Sequence, residues 1–195
     1  MKKLILFAAF FVLFAVPVLA QKPNTPPLTL DVIPDYEPEG WKEYSFPADN
    51  VHFKFPVEPT VAADPSPGVV SHRVYSHTSF MDFQLLVINA ASLNFEDDAP
   101  TRLNEARDGA LKDLAELDSK TVKEQDVTVD GHPGRFVRAE TTDGILLRIK
   151  VFLYKTRMYV ALATVKKGQR HGTNWENDFE IPAMGFFDSI HLINK

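Results

Sequence analysis

Leu103, Ala106, Ala110, Leu114 and Leu117 recur at three- and four-residue spacing, which draws one apolar stripe along a single helix. Pro100 suits the first helical turn, and Asp97 and Asp98 put negative charge where the helix dipole favours it. Asp108 and Lys112 supply a four-residue charge pair on the other face, and the helix is expected to end near Leu117 to Ser119. Around it the chain repeats with period two. A lone helical stripe among strands needs a sheet to cover it, so the class expected is α+β.

Val51, Phe53 and Phe55 alternate with His52 and Lys54, the period of a half-buried strand. A short strand around Glu43 to Phe46 and a turn through Pro47 to Asn50 precede it. Val69–His77 and Phe80–Ala90 read as a hairpin broken at Thr78-Ser79. Phe83, Leu85 and Val87 alternate there with Gln84, Leu86 and Ile88, so the middle of this strand is apolar on both faces. It belongs at the centre of a sheet covered on both sides. Beyond the helix, Val122–Val129 leads into a turn at Asp130–Pro133, and Gly134–Thr141, Ile145–Tyr154 and Met158–Val165 form a meander with turns at Thr142–Gly144 and Lys155–Arg157. An exposed loop is expected over Lys166–Asn174, a short helix broken or restarted at Pro182 within Trp175–Phe187, and a last short strand within Ser189–Ile193.

Register narrows one hairpin. A two-residue Asp143-Gly144 loop would set Arg138 opposite Ile149, with charge on the apolar face. A three-residue loop, Thr142-Asp143-Gly144, pairs Val137 with Ile149 and Ala139 with Leu147, and asks Gly144 to take the left-handed conformation. The longer loop is therefore expected.

Lys2 and Lys3 open the chain, and an apolar run follows from Leu4 to Val18-Leu19-Ala20 before Gln21. That is the layout of a secretory signal peptide over residues 1–20. Crossing a bilayer takes about 20 apolar residues, and Pro17 interrupts the run, so cleavage is expected and no stable membrane anchor remains. Residues 21–40 carry Pro23, Pro26, Pro27, Pro34 and Pro38 and read as a proline-rich linker, which leaves a globular domain over 41–195. Cleavage would leave 175 residues with 19 basic against 26 acidic side chains, a net charge of about −7. Such a surface repels nucleic acid. The chain has no cysteine, which excludes a disulfide framework, a thiolate metal site, a cysteine nucleophile and a lipid-modified cysteine.

Chemistry-bearing patterns are scarce. His72 and His77 stand five apart on a predicted strand, so they point to opposite faces and share no metal, and no His-Glu-x-x-His spacing occurs. Glu96-Asp97-Asp98 lacks the alternating ligands and central glycine of a calcium loop and reads as a solvated helix start. No serine sits in a Gly-x-Ser-x-Gly elbow, and no glycine-rich phosphate loop is present. The reading therefore assigns no catalytic residue, metal site or cofactor. Its one candidate binding patch is Arg138, Arg148 and Lys150. Arg138 lies opposite Arg148 in the expected register, with Lys150 two residues further along the same face. Like charges across a sheet cost stability, and a bound anion or acidic partner would relieve them, unless Glu140 on the same strand does so. Phe152, Tyr154 and Tyr159 fall on or near the face opposite Ile149 and Val151, and are core if the last helix covers them. Left open, they would form an apolar patch for a partner or ligand.

Gly131-His132-Pro133-Gly134-Arg135, then Asp143-Gly144, then Val151-Phe152-Leu153 with Arg157 and Tyr159, and finally Phe187-Asp188-Ser189 follow in that order. An opening Trp41 and a strand ending Phe53-Lys54-Phe55-Pro56, with Pro59, precede them. In these residues the chain resembles secreted bacterial proteins of the PsbP-like type, whose fold is shared with the Ran-binding Mog family. The likeness runs roughly from Trp41 to Ile193. It implies an antiparallel β-sheet sandwiched between helices, and members with a known role are mostly non-catalytic partners or accessory subunits. The shared residues are turn glycines, prolines and core aromatics, and no metal or partner site comes with them. The functional expectation is a secreted or periplasmic, monomeric, non-catalytic module binding an unknown protein or small ligand. The alternatives are a hydrolase or metal-dependent enzyme with a site assembled from scattered residues, and a carrier of an apolar ligand.

Overall fold

The computed structural model describes residues 40–66, 68–113, 119–141, 144–165 and 175–194. The expected signal peptide, nearly all of the linker, the 166–174 loop and the last turn of the expected helix lie outside these residues. In chain order the elements are β1 (Lys42–Phe46), β2 (Val51–Phe55), β3 (Thr60–Ser66), β4 (Val69–His77), β5 (Asp82–Asn89), α1 (Ala99–Asp113), β6 (Ser119–Val129), β7 (His132–Thr141), β8 (Leu146–Tyr154), β9 (Arg157–Val165), α2 (Trp175–Asp188) and β10 (His191–Leu192).

Seven strands pair antiparallel in the order β3-β4-β5-β9-β8-β7-β6, and β1, β2 and β10 make a separate three-stranded sheet. Period-two alternation divides the large sheet between two cores. Leu86, Ile88, Val137, Ile149, Val151, Leu153 and Val160 pack with Leu103, Ala106 and Ala110 of α1. On the other face Phe83, Leu85, Val87, Phe136, Phe152 and Tyr159 pack with Phe179, Ala183, Phe186 and Phe187 of α2 and with Val51, Phe53 and Phe55 of the small sheet. The expected antiparallel sheet between helices is thus observed, with the small sheet sharing one outer layer with α2.

Several local expectations hold. β5 lies between β4 and β9 and is buried on both faces through Leu85–Ile88. Val137 faces Ile149 and Ala139 faces Leu147, Gly144 has φ +83°, and Thr141 N–H donates to Ile145 O at 2.9 Å, as the three-residue loop requires. Phe152, Tyr154 and Tyr159 are core, and the Phe152 and Tyr159 rings stack at 4.4 Å.

Other expectations need correction. No strand is expected over 60–66, where β3 lies. It is the edge of the large sheet, paired only with β4, and Thr60 to Ala63 are all exposed, so no buried alternate face marks it. The β6–β7 turn has two residues instead of four: Asp130 (φ 51°) and Gly131 (φ 88°) make an Asp-Gly hairpin, and His132 and Pro133 belong to β7. The β8–β9 turn is Lys155-Thr156 alone, with Lys155 at φ 51° and Arg157 already paired with Tyr154. Pro182 neither breaks nor restarts α2, which runs through it. Phe179 before it and Ala183, Phe186 and Phe187 after it are buried, so packing on both sides offsets the backbone bond that proline cannot make.

Gly134 needs to be glycine because of crowding. A Cβ there would lie 2.7 Å from the carbonyl oxygen of Val151 and 3.1 Å from Phe152 Cβ. The near atom belongs to the backbone of the paired strand and cannot rotate away. Gly134→Ala is therefore expected to destabilise the chain by about 1–3 kcal/mol, measured by urea unfolding, whereas Gly40→Ala should cost less because a Cβ there meets no neighbour within 4 Å. Equal effects would contradict the crowding argument.

Candidate functional site

The cations foreseen as a patch divide into two groups. Arg138 and Arg148 are direct cross-strand partners, and Phe136 faces Lys150, so all three cations lie on the α2 side of the sheet. Arg148 and Lys150 are largely covered by α2. The Arg148 guanidinium donates to Glu180 of α2 through Nε at 2.9 Å and also through Nη2, and through Nη1 to Leu147 O at 2.7 Å. It also lies 5.0 Å from the centre of the Phe179 ring. Lys150 Nζ donates to Phe187 O at 2.9 Å and stands 3.7 Å from the Asp188 carboxylate, which sets a cation at the end of α2 where the helix dipole is negative. Burial holds the Lys150 ammonium below the usual lysine range, against the pull of Asp188. Both cations fasten the helix to the sheet.

Arg138 is exposed, its guanidinium 5.5 Å from the centre of the Phe136 ring. Its other cross-strand neighbour is Lys123 of β6, also exposed. Lys123, Arg138 and Arg148 therefore form one row across three adjacent strands, with Glu140 two residues further along β7 and half-buried. Sequence reasoning missed Lys123 because a four-residue β6–β7 turn would shift β6 and set Gln125 opposite Arg138. The Asp130-Gly131 pair was the available signal for the shorter turn. Glu180 was missed for a different reason: no local pattern ties a helical carboxylate to a strand 32 residues away.

Each described histidine faces one carboxylate: His52 on Glu43, His72 on Asp49, His77 on Asp82, His132 on Glu96 and His191 on Asp130. His72 Nδ1 is 2.7 Å from the buried Asp49 carboxylate, and Tyr159 OH donates to Asp49 O at 2.7 Å. Burial raises the Tyr159 phenol above the usual tyrosine range. These bonds pin the β1–β2 connection to β4 and β9. His132 and Glu96, which also accepts from Lys155 N–H at 3.2 Å, fix the segment before α1 over the β8–β9 turn. Asp97 and Asp98 are exposed, as a solvated helix start predicts, whereas Glu96 is half-buried against His132. Among the described residues no three His, Asp or Glu side chains gather where one ion could be held.

This arrangement of sheet and helices is PsbP-like. The chain is similar to the solution structure of cyanobacterial PsbP (CyanoP) from Synechocystis sp. PCC 6803, with a TM-score of 0.52 at 14% identity over 84% of this chain and 98% of that one. A Pseudomonas aeruginosa protein of unknown function, PA94, aligns at a TM-score of 0.36 and 14% identity over 74% of this chain and 90% of that one. No family model matches the chain, and no curated protein matches it. The likeness establishes a fold.

Proposed function

We propose that this chain is an exported, non-catalytic accessory module that binds an acidic partner along the Lys123–Arg138 row. The carrying observation is that row itself, two exposed cations directly paired across β6 and β7 in a chain of net charge −5. Arg148, the third cation of the row, is already satisfied by Glu180. Lys123 and Arg138 keep like charges face to face in water, where repulsion is screened and small, and an anionic surface would gain from both. A non-catalytic role is supported by what the remaining titratable groups do. Each described histidine faces its own carboxylate, and Arg148 and Lys150 hold α2. Export is supported by the 1–20 segment, and the described domain has no helix long and apolar enough to cross a membrane. The mature chain is read as beginning at Gln21.

Capture of partners from the cell envelope by the chain and by its Lys123→Gln/Arg138→Gln variant tests the reading. Binding by the variant should be about tenfold weaker and less sensitive to added salt, with an unchanged melting temperature. Equal capture of the same proteins by both would remove the row as the binding surface.

A further inference from the structure

The outer face of the small sheet carries a different arrangement. β10 pairs antiparallel with β2, and His191 is the direct partner of His52. The inward neighbours Val51, Phe53 and Leu192 are buried, so both imidazoles stand on the solvent side, with 34% and 48% of their side chains exposed. Their ring centres are 5.5 Å apart. Each Nδ1 faces a carboxylate from a different element: His52 meets Glu43 Oε1 of β1 at 3.1 Å, and His191 meets Asp130 Oδ1 of the β6–β7 turn at 3.5 Å. The Asp130 side chain is only 7% exposed, and its second oxygen accepts the Leu192 N–H at 2.8 Å. The carboxylate beside His191 is therefore fixed in place by the backbone of the very strand that carries that histidine.

A histidine that gives its Nδ1–H to a carboxylate keeps Nε2 as a lone-pair donor with the ring already oriented, which is the usual second shell of a metal-binding imidazole. His52 has this bond to Glu43, and the His191 ring stands 3.5 Å from Asp130; two imidazoles on facing strands suit a borderline transition-metal ion better than a hard cation such as calcium or magnesium, which prefers oxygen ligands. We propose that His52 and His191 bind one divalent transition-metal ion of the zinc, nickel or copper type through their Nε2 atoms. Glu43 and Asp130 act as outer carboxylates, and water completes the coordination. Two protein ligands make the ion exchangeable. Because the ion bridges β2 to a two-residue strand at the far end of the chain, binding also fastens β10 to the domain.

The test is a titration of the untagged chain with zinc and with nickel, following the imidazole ¹⁵N resonances and the melting temperature. Metal should move the Nε2 resonances of His52 and His191 and raise the melting temperature, reversibly with a chelator. His52→Asn and His191→Asn should each weaken binding by about tenfold or more while keeping the metal-free melting temperature, since both side chains are partly exposed. Glu43→Gln, which leaves both ligands present, should weaken it less. Binding that persists unchanged in a His52→Asn/His191→Asn double variant would place the ion elsewhere and overturn the proposal, as would a wild-type chain whose resonances do not respond.

Discussion

Replacing Phe186 by alanine is expected to lower the free energy of unfolding by about 3–5 kcal/mol, read from urea or thermal denaturation. Phe186 is fully buried where three elements meet. Its ring stacks on Phe55 of β2 at 5.1 Å, meets Phe83 of β5 edge-on at 5.6 Å and contacts Phe187 at 5.3 Å. One side chain of α2 thereby joins the small sheet to the centre of the large one. Both neighbouring strands are held by their own ladders and cannot close on the space a deleted ring leaves, so a cavity adds to the lost transfer energy. Total stabilities of single domains are about 5–15 kcal/mol, so the variant should sit close to unfolding at physiological temperature. Ile181, exposed on the same helix, is the control, and its replacement by alanine should change stability by no more than about 0.5 kcal/mol. Equal losses at the two positions would mean that α2 does not pack as described.

Arg148→Met is the second large effect, expected at about 2–4 kcal/mol, somewhat below the range for a fully buried pair because Glu180 keeps a quarter of its side chain exposed. The substitution leaves the half-buried Glu180 carboxylate with its partner gone, and one of its oxygens, Oε2, is buried and already has no hydrogen bond. The cost comes from stranding a charge more than from losing an attraction. Removing both charges, as Arg148→Met/Glu180→Met, should therefore recover most of the loss. Denaturation of the two single variants and the double variant closes the cycle. Simple additivity would show that the two side chains act independently and that Arg148 does not clamp α2.

How much of this was legible follows from where each signal lives. β5 announced its central place because both of its faces are apolar, and the β7–β8 register followed from keeping Arg138 off the face of Ile149. The stripe of α1 required a sheet, and Phe152 and Tyr159 fell in the opposite core, shared by α2 and the small sheet, as their parity demands. β3 was invisible because an edge strand with exposed side chains on both faces has no alternation to read. The Lys155 turn was misjudged because the positive φ is carried by a lysine, a residue that gives no warning of it. At the binding row the difficulty was compound. Lys123 depended on the length of a turn, and the separation of Arg138 from Arg148 and Lys150 depended on a helix whose carboxylate and C-terminal carbonyl arrive from far along the sequence. Charges on one face of a strand are readable locally, whereas what covers them is decided by tertiary packing.

The proposed function places binding on the Lys123–Arg138 row and leaves Arg148 and Lys150 to hold α2. Native mass spectrometry of the untagged chain, released gently from the envelope of the cells that make it, tests that claim most directly. The expected result is a complex heavier than the chain, formed with an acidic partner, that is lost when Lys123 and Arg138 are replaced by glutamine. A wild-type chain that leaves the envelope alone, or a glutamine variant that keeps the same complex, would contradict it.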